Sequence, residues 1–303
     1  MQSPPLAYET VDWQAIATHI SEITGQYFEV QTHYAIASSY LHETYRIEGV
    51  EQNYFIKFNY ADCLDLFVAE AESLRELAQE NRIKVPMPLC WGATQTHAYL
   101  VMQYIALRDI TPIASGQLGE LLATLHRITH DQFGWHRDNY LGKMFQPNHQ
   151  EENWIKFWQT QRLGVQLALA AEQGYSALLQ DKGNDLLSEL NEFFSPYEPV
   201  PSLLHGNLWL GNCATDVAGT PVIFHPAVYY GDRETDLAMT ELFGGFSEQF
   251  YDAYQEVWPL DEGYVVRKQL YNLYHILNHL NLFGGNYLKQ AENMILSLLS
   301  ELH

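Results

Sequence analysis

Hydrophobic residues recur at the spacing of an amphipathic helix near the start of the chain. Between Val11 and Thr24 the apolar residues lie three or four positions apart, and polar residues fill the gaps. This spacing places the apolar side chains on one helical face, so it predicts an α-helix. Asp12 is positioned to cap the first turn of this helix, and Gly25 is positioned to end it.

The pattern then changes to the alternation that is typical of β-strands. Residues 28–37, 41–47 and 53–58 alternate between polar and apolar positions, and a turn at Glu48 and Gly49 joins the last two. A helix is predicted at 62–80. The prolines within 85–89 favour extended chain, because the residue before a proline is disfavoured in helix. A last apolar strand is predicted at 99–105.

Most of the remaining chain has helical periodicity, with helices predicted at residues 117–130, 154–172, 234–242, 267–282 and 287–299. Two stretches interrupt it: a loop rich in Gly, Asn and Pro at 133–148, and a segment at 202–225 with two short strand-like pieces. We therefore predict an α+β fold with a β-rich first lobe (1–104) and a mainly helical second lobe (105–303). A loop segment at 203–236 lies inside the second lobe, and this bilobal layout is kinase-like.

The composition indicates a packed core and a strongly acidic surface. Hydrophobic residues make up 47% of the chain, and the formal net charge is −21. Nucleic acids and anionic membranes are disfavoured as partners, because binding them depends on Lys and Arg. No stretch approaches the roughly 18 apolar residues of a membrane-spanning helix, and the first residues lack a signal-peptide pattern. Three widely spaced cysteines fit a reducing, cytoplasmic setting.

One lysine and one glutamate suggest phosphate chemistry. Phosphoryl transfer from ATP requires a cation at the phosphates, metal ions held by carboxylates, and a group that orients the attacking hydroxyl. Lys57 lies in the alternating strand and Glu70 in the following helix, so the two side chains are able to pair. The alternative is that Lys57 is a solvated strand residue and Glu70 lies on a solvated helix face.

The most specific motif lies in the second lobe. Residues 203–212 read LLHGNLWLGN, residues 224–227 read FHPA, and residues 231–238 read GDRETDLA. With these blocks the chain resembles the fructosamine kinases (ketosamine-3-kinases), which are related to aminoglycoside and choline phosphotransferases. Those proteins carry Asp at the positions of Asn207 and His225. The similarity covers about residues 10–290 and includes 58–72, 133–139, 146–148, 154–163 and 226–234.

This resemblance implies an ATP- and Mg²⁺-dependent phosphotransferase that acts on sugar amines, either small ketosamines or glycated protein side chains. It also implies a role for individual residues. These are Lys57 at the phosphates, Glu70 orienting Lys57, a hinge beside adenine (Met102, Gln103, Tyr104, Ile105), Asn212 as a metal ligand, His205 and Asp236 bracing the loop, and a substrate border formed by Trp209, Trp135, His136, Asp138 and Asn139.

The chain departs from the family pattern at the two residues that carry most of the chemistry. By resemblance, Asn207 stands where an Asp accepts the proton of the substrate hydroxyl, and an amide has no usable basicity at neutral pH. His225 stands where an Asp holds Mg²⁺, a metal that prefers oxygen ligands. The turn at 36–42, which resemblance places over the phosphates, contains no glycine, although glycine lets backbone amides approach phosphates closely.

Three hypotheses follow from these departures. The first is a kinase homologue with weak or no activity that still binds a ligand, such as a sugar-amine adduct or a nucleotide without metal. The second is an active ketosamine kinase with altered metal use, in which His225 holds Mn²⁺ and Asp232 or Glu234 supplies an acidic ligand. The third is an interaction protein with a relic pocket. A separate pair, His126 and His130, has zinc-compatible spacing, but we interpret it as a polar helix surface.

Overall fold

The computed structural model describes residues 11–38, 42–79 and 82–302. It begins with helix α1 (Trp13–Thr24), where the apolar periodicity predicts a helix. The side chain of Asp12 accepts a hydrogen bond from the backbone N–H of Ala15 at 2.9 Å, and Gly25 ends the helix at φ 67°. Both predicted ends of this helix are therefore confirmed.

A five-stranded antiparallel sheet with the order β1-β2-β3-β5-β4 forms the centre of the first lobe. Its strands are β1 (Thr32–Ser38), β2 (Glu43–Glu48), β3 (Asn53–Tyr60), β4 (Pro88–Ala93) and β5 (His97–Gln103). The first three predicted strands are confirmed. β1 begins four residues later than predicted, because the backbone N–H of Phe28 bonds to Ser21 Oγ at 2.8 Å instead of to the sheet. Part of the glycine-free turn lies outside the described residues.

Alternation along the strands decides which side chains meet in the first lobe. Ile56 of β3 and Val101 of β5 lie on the face covered by α1 and share a core with Ile16. Their neighbours lie on the opposite face, which helix α2 (Leu64–Ala78) covers and which is continuous with the core of the second lobe. Because successive strand residues point to opposite faces, Lys57 points towards α2.

Eight helices and seven short strands among the described residues form the second lobe. The helices are α3 (Pro112–Leu125), α4 (Trp154–Trp158), α5 (Gly164–Glu172), α6 (Ala177–Ser188), α7 (Glu234–Leu242), α8 (Glu248–Val257), α9 (Tyr264–Phe283) and α10 (Tyr287–Ser300). The strands are β6 (Leu107–Arg108), β7 (Asn139–Leu141), β8 (Met144–Gln146), β9 (Ser202–Leu204), β10 (Cys213–Asp216), β11 (Pro221–Ile223) and β12 (Tyr229–Gly231).

The helix predicted at 117–130 begins and ends five residues earlier than expected. Thr111 caps it, since its hydroxyl accepts a hydrogen bond from the backbone N–H of Ala114 at 3.2 Å. Proline is favourable in the first helical turn, so the proline that follows Thr111 starts α3 and does not interrupt it. The helix predicted at 154–172 is α4 and α5 joined through one π-helical turn.

His126 and His130 do not share a helix, because α3 ends before them. His126 is fully buried and bonds to Asp236 Oδ2 through Nε2 at 3.2 Å and to the Tyr254 hydroxyl through Nδ1 at 2.8 Å. The predicted polar helix surface at this pair is therefore wrong. His126 is a buried hydrogen-bonding residue of the core, and its ring burial could not be read from local spacing.

Strands β9 and β12 place the motif segments side by side. They pair antiparallel, with Leu204 opposite Tyr229. This pairing brings residues 205–212, which follow β9, against residues 224–228, which precede β12. Among the described helices, none is both long and apolar enough to cross a membrane.

Candidate active site

A buried ion pair lies at the base of the cleft between the lobes. Lys57 Nζ lies 2.5 Å from Glu70 Oε1, and both side chains are less than 8% exposed. Burial raises the pKa of Glu70, but the Lys57 ammonium, His225 and His42 together outweigh burial, so this pKa lies below its ordinary value. The Lys57–Glu70 pair is therefore ionised and leaves the ammonium with further hydrogens to donate.

His225 stands directly against this pair. Its Nδ1 lies 3.3 Å from Lys57 Nζ and 3.4 Å from Glu70 Oε1. His225 has φ 59°, a left-handed conformation that few residues other than glycine adopt. The His42 ring lies 5.4 Å from the His225 ring, and burial, with the Lys57 charge second, lowers the pKa of His42 to about 2. His42 is therefore a neutral ring beside the ammonium.

Asp236 at the start of α7 holds the loop that follows β9. Its carboxylate accepts hydrogen bonds from the backbone N–H groups of His205 at 2.7 Å and Gly206 at 2.8 Å. Gly206 has φ 77°, and a Cβ there would lie 2.1 Å from the carbonyl oxygen of Ala227, so glycine is required. Burial lowers the pKa of His205 to about 4, so its ring is a neutral bridge within the loop.

The side-chain amide of Asn207 joins the loop to the segment that carries His225, and that of Asn212 braces the loop itself. Asn207 Nδ2 donates to the backbone oxygen of His225 at 3.3 Å, and Asn212 Nδ2 donates to the backbone oxygen of Asn207 at 2.7 Å. Both amide nitrogens are thus used in building the loop. An Asp at position 207 would lack the hydrogen that Asn207 donates here.

Two cavities meet at this loop, and Asn212 and His225 line both of them. The first, of about 420 Å³, lies between the lobes and is lined mostly by apolar residues around Lys57 and Glu70. The second, of about 330 Å³, lies within the second lobe and includes Asn207. Two adjoining cavities that share polar residues suit the transfer of a group from one ligand to another.

The comparisons with known proteins agree with this arrangement. The fructosamine kinase family profile matches residues 12–301. The chain belongs to the fructosamine kinase family. It is 43% identical to a protein of Synechocystis sp. named "probable ketoamine kinase", over 93% of this chain and 95% of that protein.

Solved structures show that this family member has the fold of kinase-like proteins. A "putative fructosamine-3-kinase" of Haemophilus somnus superposes with a TM-score of 0.87 at 32% identity, covering 95% of this chain and 97% of the other. An aminoglycoside phosphotransferase in a ternary complex with ADP and hygromycin B gives a TM-score of 0.62 at 14% identity, covering 94% and 98%. The second likeness concerns the fold alone, and together they confirm the predicted bilobal α+β fold.

The four predicted hinge residues of this family member do not all line the first cavity. Met102, Gln103 and Ile105 line the first cavity. Tyr104 is not among its lining residues, and the guanidinium of Arg46 lies 4.6 Å from the centre of its ring. The segment follows β5 directly, so three of the four predicted residues are placed where a ligand of that cavity would contact them.

Of the predicted substrate residues, Trp209 lines the second cavity, and the other four line neither of the two cavities. Trp135 is buried in the core. Asn139 is buried and donates to the backbone oxygen of Val228 at 2.7 Å, whereas the other two predicted residues are tied to neighbours. His136 bonds to Glu72 at 3.1 Å, and Asp138 accepts from the backbone N–H of Asn148 at 2.7 Å.

The wall of the second cavity comes instead from helix α9, which the sequence predicted without assigning it a role. Its cavity-lining residues are His275, Asn278, His279, Leu282 and Phe283. The first four have the spacing i, i+3, i+4, i+7 of a single helix face. Three polar residues on one face of a mostly buried helix are a signal that could have identified this wall.

The described residues do not fit a Mg²⁺ site. Asn212 and His225 offer one neutral amide and one imidazole, and Glu70 is already paired with Lys57. Within the described ranges, no group of three or more His, Cys, Asp or Glu residues is arranged to hold a metal ion. Mg²⁺ prefers an octahedral set of oxygen ligands with carboxylates among them.

The predicted substitute ligands are also engaged elsewhere. Asp232 accepts hydrogen bonds from the hydroxyls of Tyr197 at 2.8 Å and Tyr271 at 2.5 Å. Glu234 accepts two from Arg267, at 2.7 and 3.0 Å. Both carboxylates are fully buried, and the hypothesis that either one supplies an acidic metal ligand is wrong.

Proposed function

We propose that this chain is a ligand-binding member of the fructosamine kinase family in which phosphoryl transfer is strongly weakened or lost. One observation carries the proposal: Glu70 is the only carboxylate among the described lining residues of both cavities, and Lys57 neutralises it. Asn207 and His225 stand where the family resemblance expects the catalytic base and the metal ligand. A positioned base contributes roughly 10²–10⁴-fold to rate.

The first cavity supports nucleotide binding within this proposal. Its apolar walls suit a base, and Lys57 lies at its inner end, where phosphates would lie. The aminoglycoside phosphotransferase that shares the fold was solved with ADP, which supports the same use of the cleft here. We propose that the nucleotide binds without Mg²⁺ and that a sugar amine is the ligand class of the second cavity.

The intact Lys57–Glu70 pair favours a second candidate, an active ketosamine kinase with altered metal use. Phosphoryl-transfer transition states are loose, so charge neutralisation and alignment matter more than a strong base. Under this alternative His225 would bind Mn²⁺ through its imidazole, a ligand that suits transition metals better than Mg²⁺.

Phosphate incorporation from ATP into a small fructosamine, followed by mass spectrometry with Mg²⁺ and with Mn²⁺, separates the two candidates. We expect turnover by the native chain no higher than the background without protein, and turnover at least 10²-fold above that background in Asn207→Asp/His225→Asp. Adding Lys57→Met to that double variant is the control, because it removes the phosphate-binding cation while both carboxylates remain. Native turnover with either metal that matches the turnover of the double variant would overturn the first proposal.

A further inference from the structure

The junction between the two cavities has an unusual charge for so acidic a protein. The described residues that line the second cavity include no Asp, Glu, Lys or Arg, and those of the first include only Lys57 and Glu70. The whole chain carries a formal net charge of −21. The described walls of the cleft therefore present no unpaired carboxylate that would repel a bound anion.

Hydrogen-bond donors converge on this junction. His225 Nδ1 lies 3.3 Å from the Lys57 ammonium, which can only donate, and 3.4 Å from Glu70 Oε1, which can only accept, so the buried pair occupies this ring nitrogen. Nε2 is the ring nitrogen left for a ligand, and the ring lines both cavities. Lys57 has three hydrogens, of which Glu70 takes one. An ammonium with a hydrogen left to donate suits the oxygens of a phosphate monoester.

A second donor lies in the wall of the second cavity. Asn278 lines it, is only 2% exposed, and has no hydrogen-bond partner for its Nδ2 among the described residues. A buried donor without a partner destabilises the protein, and a hydrogen bond to a ligand oxygen would offset that destabilisation. A ligand in the second cavity with an acceptor such as a sugar hydroxyl or carbonyl would give Asn278 this missing partner.

Aromatic rings form the remaining wall of the second cavity. The ring centres of Trp209 and Phe243 lie 6.0 Å apart, those of Phe243 and His279 5.1 Å, and those of His279 and Phe283 5.5 Å. Such rings offer apolar faces to the C–H groups of a sugar, while their edges leave the hydroxyls to polar partners.

We propose that the junction binds the phosphate monoester of a sugar amine, with the phosphate at Lys57 and His225 and the sugar against the aromatic wall. This inference rests on the proposed function, because it requires that the chain binds a ketosamine-type ligand without phosphorylating it. Two aspartates at 207 and 225 would repel a phosphate dianion unless a metal ion intervened, whereas Asn207 and His225 do not. The same substitutions that remove the kinase machinery thus favour the phosphorylated form.

The test is calorimetric titration, without nucleotide or divalent metal, of three probes: a 1-alkylamino-1-deoxyfructose, its 3-phosphate, and inorganic phosphate. We expect the native chain to bind the 3-phosphate at least 10-fold more tightly than either other probe. Asn207→Asp/His225→Asp should lose at least 10-fold in affinity for the 3-phosphate and keep its affinity for the parent sugar amine.

Two further variants separate the sugar contacts from general structural damage. Asn278→Ala should weaken both sugar probes about equally and leave inorganic phosphate unchanged. Asn293→Ala, on the surface of α10 outside both cavities, is the matched control and should bind as the native chain does. Equal affinity for the two sugar probes overturns the inference, as does inorganic phosphate binding as tightly as the 3-phosphate. Native turnover in the transfer assay overturns instead the function on which it rests.

Discussion

Three buried histidines of this protein serve as neutral hydrogen-bonding or packing residues. Burial lowers the pKa of His126, of His205 to about 4, and of His275 to about 3. His126 donates to Asp236, and burial raises the pKa of that carboxyl less than its hydrogen bonds and neighbouring charges lower it. At neutral pH the loop is therefore held by an ionised carboxylate among uncharged rings.

Replacing His275 with Gln should make stability less dependent on pH. Unfolded, this histidine titrates near 6.5, and folded it stays neutral down to a pKa of about 3. Its stabilising contribution is present above pH 6.5 and is lost as pH falls towards 3, by about 1.4 kcal/mol per pH unit. Urea unfolding between pH 6.5 and 4.5 should show a slope smaller by that amount in His275→Gln. The exposed His149→Gln is the control, and equal slopes in both variants would contradict the assignment.

At the scale of elements, helix α3 packs unusually closely on α8. A Cβ at Gly119 would lie 2.1 Å from the backbone oxygen of Phe250, so the two helix backbones touch there. A Cβ at Gly116, one turn earlier in α3, would lie 3.5 Å from the side chain of Gln249, an ordinary contact distance. The contact with α8 therefore requires glycine at position 119, whereas position 116 has room for a larger residue.

This difference predicts opposite effects of the same substitution. Gly119→Ala should destabilise the protein by about 2–3 kcal/mol, because the methyl group forces the helix backbones apart. Gly116→Ala should stabilise it by about 0.5–1 kcal/mol, because alanine is the better helix former and no atom obstructs it. Urea unfolding measures both, and a stabilising Gly119→Ala would show that the two helices are not in backbone contact.

At the scale of the whole molecule, charged and hydroxyl groups join the two lobes beside the cleft. Arg137 of the second lobe bonds to Asp65 at 2.7 Å and to Glu72 at 3.2 Å, both on α2. Farther along α2, Glu76 accepts from the hydroxyl of Tyr230 at 2.8 Å. Since α2 also carries the partner of Lys57, these bonds hold the helix in the position that forms the buried pair.

Removing the guanidinium should weaken this connection in a salt-dependent way. Arg137→Gln should lose about 1 kcal/mol at low ionic strength, because partly exposed ion pairs contribute roughly 0.2–1 kcal/mol each. The loss should shrink in 1 M NaCl, where the Debye length is about 3 Å. Lys182→Gln breaks an exposed pair within α6 and serves as the control. A loss that salt does not reduce would mean that Arg137 acts through packing alone.

Local periodicity was sufficient for the elements that form from neighbouring residues. The caps of α1 and the first three strands follow from it. Strand and helix periods decide which side chains share a face over short distances. The family blocks likewise pointed to the loop at Asn207, because a motif with fixed spacing carries its own local geometry.

The assembly of the cleft depended on contacts between distant segments. His225 meets Glu70 across 155 residues of chain, and Arg137 meets Asp65 across 72. Neither the wall supplied by α9 nor the burial of Asp232 among tyrosines could be read from spacing. The spacing of apolar residues shows which face of a helix or strand is buried. Which other element covers that face depends on the packing of the whole chain, because shape complementarity and hydrogen bonding must be satisfied together.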